Sequence, residues 1–163
     1  MWRILLLLPS LYLSGCAATS YQPSGWKGGY SDVQLGEDVF KVRFKGNGYT
    51  GKSRASDFAL LRCAELTLAG GYRYFIIIDE NNTITRNQIK TPTYTTGSAT
   101  ATSTGGSTTA SGTSTSYGGQ IVSIAKPSSE NLIKCFKEKP TNVSVVYDAK
   151  FLQKSLKESY GLP

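Results

Sequence analysis

The stretch from Asp38 to Asp79 constrains this chain more than any other. It reads as strand (DVFKVRFKG), glycine turn (NGYTG), helix (SRASDFALLRCAELTLAGG) and strand (YRYFIIID). Phe40, Val42 and Phe44 alternate with Lys41, Arg43 and Lys45. Period-two alternation predicts a strand with one buried face and one wet, basic face. Ser53 or Ser56 is the expected helix N-cap, with Asp57 placed to favour the helix dipole. Phe58, Leu61, Ala64 and Leu68 form one stripe, flanked by Leu60, Cys63 and Thr67. Gly70-Gly71 ends the helix, because glycine accepts the left-handed conformation that closes one. Tyr74 to Ile78 is continuously apolar and mostly β-branched, which predicts a central strand covered on both faces.

The remainder reads as the rest of one domain. Asn81-Asn82 suggests a turn, hence a hairpin from Phe75–Asp79 into Thr83–Lys90. No charged residue occurs from Thr91 to Ala125, where Thr, Ser, Gly and Ala dominate. Low complexity there favours a mobile tip, while Thr propensity and Gly105-Gly106 would suit a long hairpin. GQIVSIA (119–125) and NLIKCF (131–136) read as two strands separated by Lys126-Pro127-Ser128, and NVSVVY (142–147) as a third. Asp148 suits the cap of a helix over Ala149 to Tyr160, with Phe151, Leu152, Leu156 and Tyr160 on its apolar face and Gly161 as its stop. The fold class expected is α+β. It is a two-layer domain with a mostly antiparallel sheet that contains one β-α-β unit, two helices and a Thr/Ser-rich insertion at about 91–118.

The chain has 163 residues, net charge +7, three cysteines and no histidine. The missing histidine removes the commonest general base and metal ligand. Met1-Trp2-Arg3 is a short basic start, and Ile4 to Leu13 is an apolar run broken only by Pro9 and Ser10. The run falls short of the ~20 apolar residues a bilayer span needs, and a basic start before a short apolar stretch marks an export signal. Its ending, Leu13-Ser14-Gly15-Cys16, resembles the lipobox of bacterial lipoproteins. That resemblance implies that residues 1–15 are removed and that Cys16 is acylated on both thiol and amine. Several acyl chains anchor stably where one is marginal. Ala17 stands where an Asp commonly retains such proteins at the inner membrane, so the resemblance implies the outer membrane, facing the periplasm. Residues 16–35 read as a tether, its distal part packing on a domain over 36–163. Trp26 and Tyr30 are expected either to dock on that domain or to meet headgroups.

Gly46-Asn-Gly-Tyr-Thr-Gly51-Lys52-Ser53 fits the phosphate-loop pattern G-x-x-x-x-G-K-[ST], and Phe75 to Asp79 resembles the strand that holds magnesium in such proteins. Three arguments oppose the reading. A phosphate-loop strand should be apolar on both faces, and Val39–Lys45 is not. No further β-α units follow Glu80. An exported chain meets essentially no ATP or NAD. The glycines are therefore expected to form a tight turn, with no nucleotide, cofactor, metal or nucleic-acid partner.

The lipobox, GGYSDVQLG, FKGNGY, AELTLAGGYRYF and YDA together resemble a family of small uncharacterised lipoproteins of Gram-negative bacteria, over most of the chain apart from the Thr/Ser stretch. The resemblance implies location and fold, and no activity. In an oxidising envelope Cys63 and Cys135 are expected to be bridged, the alternative being two inert buried thiols. Asp57, Glu65, Asp79 and Glu80 are the carboxylates an enzyme would have to use, and they read better as capping or solvated groups, so no catalytic residue is expected. Two roles remain: an accessory lipoprotein docked on an envelope complex, or a module whose Lys41, Arg43, Lys45, Lys134, Lys137 and Lys139 bind anionic lipid or polymer.

Overall fold

The computed structural model describes residues 17–163, so Cys16 and the leader at 1–15 lie outside the described residues. The chain forms two compact units, one of residues up to Ile84 with Lys126–Pro163, the other Thr85–Ala125.

The elements run β1 (Gly29–Gln34), β2 (Val39–Lys45), α1 (Lys52–Ala69), β3 (Tyr74–Lys90), β4 (Thr93–Thr104), β5 (Ser107–Gly118), β6 (Ile121–Phe136), β7 (Tyr147–Asp148) and α2 (Ala149–Tyr160). Five strands form one sheet in the order β1-β2-β6-β3-β7. The β-α-β unit expected from the sequence is thus split, because β6 lies between the two strands that α1 joins. β2 pairs antiparallel with β1 (Tyr30 opposite Phe44) and with β6 (Phe40 opposite Ile133). The fold is α+β, with a mostly antiparallel sheet and two helices.

The inner face of β2 behaves as its alternation requires. Val42 and Phe44 are fully buried and Phe40 nearly so. Phe40 and Val42 pack with Cys63, Ala64, Phe75, Ile133, Cys135 and Ala149. Phe44 packs with Ala55, Phe58 and Ala59 in a second cluster. Phe58 meets Phe44, Tyr21 and Tyr160 edge-on, with ring centroids 4.9–5.4 Å apart, an arrangement that aromatic quadrupoles favour.

Several expectations need correction. The start of α1 has no side-chain cap; Gly51 occupies that position, and Asp57 instead accepts a hydrogen bond from the Tyr160 hydroxyl at 2.6 Å. No turn forms at Asn81-Asn82, because β3 runs unbroken to Lys90. β6 likewise continues through Pro127. That proline sits where β2 ends, with Lys45 opposite Ser128, so its missing N–H removes no rung there. Its carbonyl accepts from Gly46 N at 2.8 Å. The strand expected over 142–147 shrinks to Tyr147–Asp148. Asp148 does cap α2, accepting from the amides of Lys150 and Phe151 at 3.1 Å, and Gly161 closes it at φ 62°. On α2, Leu152 packs on the core, whereas Phe151 is 74% exposed.

The second unit contains the insertion and is wider than the 91–118 assigned to it. β4 and β5 form a two-stranded antiparallel ribbon from Thr93 opposite Gly118 to Thr104 opposite Ser107. Gly105 and Gly106, at φ 61° and 83°, supply the two positive-φ positions of a tight hairpin turn. The hairpin alternative, rather than the mobile tip, is what the structure contains.

Candidate interaction surfaces

The packing expected of the distal part of residues 16–35 extends further upstream than the sequence reading had it, to Ala17. Gly29–Gln34 form β1. Upstream of it, Thr19 is buried; its amide donates to Thr50 Oγ1 at 3.0 Å and its hydroxyl to the Lys27 carbonyl at 3.0 Å. The Asn47 side chain donates to the Ala17 carbonyl at 2.8 Å. Tyr21 packs at a tilt against Tyr30, with centroids 4.8 Å apart and planes at 36°, and donates to Glu65 Oε2 at 2.5 Å. Arg62 binds Asp32 at 2.8 Å and Glu65 at 3.2 Å, with its guanidinium 4.5 Å from the Tyr30 ring centre. Burial pushes the Tyr21 hydroxyl well above its ordinary pKa, and its hydrogen bond to Glu65 adds to the shift. The two carboxylates are thus spent on one arginine and a phenol, an arrangement that fastens a segment rather than one that moves a proton. Asp32 and Arg62 were not singled out from the sequence. The available signal was Asp32 two residues after Tyr30, which puts both on one face of a strand.

Four amides of the glycine loop, those of Gly46, Asn47, Tyr49 and Thr50, are bonded within the fold. Gly46 N donates to Pro127 O at 2.8 Å and Thr50 N to Asn47 O at 3.1 Å. Asn47 N reaches Thr19 Oγ1 at 2.9 Å, and Tyr49 N reaches Asn47 Oδ1 at 3.0 Å. A phosphate cradle requires such donors to be free. Lys52 and Ser53 already lie in α1, both exposed, and with Ser56, Asp57 and Asn82 they line a shallow hollow of about 330 Å³. Asp79 and Glu80 are exposed on β3, while Asp57 is bonded to Tyr160 and Glu65 to Tyr21 and Arg62.

Cys63 and Cys135 are both buried and unbonded, so the bridge expected between them is absent from the structure. Each thiol has another neighbour: Cys135 Sγ lies 3.4 Å from Thr67 Oγ1, and Cys63 Sγ lies 3.9 Å from Asn131 Nδ2. Burial pushes the Cys63 thiol up to about 12 and raises Cys135 as well, which leaves both unreactive near neutral pH.

The opposite face of the sheet is a different surface. Both helices pack on the side of Phe44 and Phe75, and neither packs on the other side. β3 is therefore not covered on both faces as expected; Ile78 is 53% exposed. Direct pairing puts Val33 beside Lys41 and Leu132 beside Lys41, with Glu130 beside Arg43 and Lys134 beside Val39. The half-buried Phe136 continues the β6 row. The charges are partly offset: Arg43 is paired with Glu130 and Lys134 lies 3.7 Å from Asp38. Lys41 and Lys45 have no carboxylate partner among the described residues. The surface is an apolar strip crossed by basic side chains.

No protein-family model, no curated protein and no solved structure matches this chain. No helix of the described residues is long and apolar enough to cross a membrane.

Proposed function

We propose that this is an exported lipoprotein, fastened through an acylated Cys16 to the outer membrane and facing the periplasm, that serves as an accessory part of an envelope protein assembly. The observation that carries the docking role is the sheet face on which neither helix packs. Val33 and Ile78, each 53% exposed, and the half-buried Leu132 stand on one side of the sheet, while both helices pack on the other. An apolar strip between charged side chains suits a protein partner, because such a patch loses water on docking and its charged rim sets the register. The leader, the lipobox-like ending at Cys16 and the family resemblance support the location.

A second reading rests on Lys41 and Lys45, the unpaired cations of that face. It makes the surface a binder of anionic lipopolysaccharide or wall polymer. The readings separate in one experiment. A photo-crosslinker at Leu132, activated in living cells of the native host, should give one protein adduct that survives washing in high salt. Adducts to polysaccharide alone, removed by salt, would favour the second reading and sink the first.

A further inference from the structure

Residues 17–28 fasten the point at which the chain enters to a turn that carries a bare tryptophan. Gly25 and Gly28 exchange backbone hydrogen bonds at 3.0 and 3.1 Å, which leaves Trp26 and Lys27 at the tip. Trp26 is 92% exposed, with the Lys27 ammonium 5.0 Å from its ring centre. Tyr21 and Tyr30, the other aromatics of residues 17–35, are committed to each other and to Glu65 and Arg62. The Lys27 carbonyl is held by Thr19 and the Ala17 carbonyl by Asn47. Ala17, Ser20, Gln22, Lys27, Asn47 and Tyr49 line one hollow of about 340 Å³ in which Lys27 is the charged residue.

The chain outside the described residues ends at Cys16, whose Cα lies about 3.8 Å from that of Ala17. Thr19, which holds the turn, is three residues from Cys16, at most about 11 Å of extended chain. The polar layer on each side of a bilayer is roughly 6 Å thick. With acyl chains on Cys16, the turn cannot stand away from the headgroups as it could on a free tether. Tryptophan and tyrosine favour that layer, where the ring is half-desolvated and the N–H or O–H stays wet. Lysine beside them complements anionic lipid.

We infer that the Trp26-Lys27 turn, with the Tyr49 hollow beside it, is a docking surface for the phospholipid headgroups of the membrane that holds Cys16. It fixes the orientation of the first unit on the bilayer. This rests on the lipoprotein reading above, and its partner is the lipid layer rather than a protein.

The chain carries its own reporter. Of its two tryptophans, Trp2 lies in the leader, so the processed protein has Trp26 alone. The lipidated protein, purified from its host and checked by mass, is placed in phosphatidylethanolamine/phosphatidylglycerol vesicles. Lipids brominated near the headgroup should quench most of the Trp26 emission. Lipids brominated deep in the chains should quench less, and acrylamide quenching should fall severalfold relative to a Cys16→Ser protein expressed without residues 1–15, which also has Trp26 as its single tryptophan. Lys27→Glu should reduce the headgroup quenching in these vesicles and leave it unchanged in neutral phosphatidylcholine. A correctly acylated protein whose Trp26 ignores both brominated lipids and stays open to acrylamide overturns the docking surface while the anchor stands. A mass showing residues 1–15 intact and no acyl group overturns the anchor, and the docking surface with it.

Discussion

β2 and the β4–β5 ribbon are both well-formed strand structure, yet they exist for different reasons. β2 has seven residues, of which three point into the core and three into water. Change its register by one and Lys41, Arg43 and Lys45 would enter the core, so burial specifies the pairing. The ribbon is twelve residue pairs long, and every one of its side chains is exposed. No buried face selects its register. What selects it is local: two positive-φ glycines at the turn and Thr on both strands. Thr96 stands opposite Thr115 and Thr102 opposite Thr109, cross-strand pairs worth a few tenths to about 1 kcal/mol each. One region is held by its core and the other by its turn.

The sharpest break between them is a large-to-small pair. Phe44→Ala removes a fully buried ring that packs on Phe58, and it should cost about 3–5 kcal/mol of unfolding free energy in a urea titration. Tyr94→Ala on the ribbon removes a ring that is 69% exposed, and it should fall within about 0.5 kcal/mol of the parent. Similar costs for the two would mean that the ribbon has a buried side and that the contrast is false.

Glycines sharpen it at the next size down. At Gly29, φ is 126°, and an added Cβ would stand 2.4 Å from the Gln22 carbonyl. Gly29→Ala should therefore lose about 1–3 kcal/mol and loosen the 17–28 segment, seen as faster amide exchange at Thr19 and Tyr30. At Gly105, φ is 61° and nothing lies within 4 Å of an added Cβ, so Gly105→Ala should cost only about 1 kcal/mol of local strain.

This contrast also explains what could be read beforehand. Phe40, Val42 and Phe44 gave β2 correctly, because alternation directly encodes a half-buried strand. Asp148 and Gly161 gave the ends of α2, because caps are local chemistry. Asn81-Asn82 and Pro127 misled, because their local preferences were outweighed by pairing with strands distant in sequence. Residues 17–28 misled for another reason. Their order comes from single hydrogen bonds, Thr19 to Thr50 and Tyr21 to Glu65, each of which needs a partner at least 31 residues away and none of which has a period. As for the candidate surfaces, the basic row Lys41/Arg43/Lys45 was legible. That no helix covers its side of the sheet was not, because Tyr74 to Ile78 has the composition of a strand buried on both faces. The thiols of Cys63 and Cys135 were rightly placed in apolar surroundings, on α1 and β6; their separate neighbours Asn131 and Thr67 could not be seen from spacing.

A cap gives a smaller and pH-dependent effect. Hydrogen bonding from the Phe151 amide, with further help from Arg73, holds the Asp148 carboxyl below its ordinary 3.8, against a smaller opposing effect of burial. A group depressed on folding adds stability above its unfolded pKa and loses it as pH falls through its folded one. Asp148→Ala should thus cost about 1 kcal/mol at neutral pH, and the gap between the two proteins should close below about pH 4. A gap that persists unchanged into acid would mean that Asp148 acts through packing and not as a charged cap.

The smallest effect should come from the largest deletion. Thr91 N donates to Gln120 O at 2.9 Å, and Gln120 N donates back to Thr91 Oγ1 at 3.0 Å, so the two ends of the ribbon are already neighbours. Replacing Pro92–Gly119 by Asn-Gly should close β3 and β6 with a two-residue turn that their twist accepts. None of the removed residues belongs to either buried cluster. Shortening the loop also lowers the entropy of closing it, by roughly 0.6 kcal/mol per halving of length, so a slight gain is expected. The urea midpoint should therefore stay level or rise a little. A marked fall would mean that the ribbon, despite its exposed side chains, supplies pairing the five-stranded sheet needs, and that the division between a region held by its core and one held by its turn is wrong.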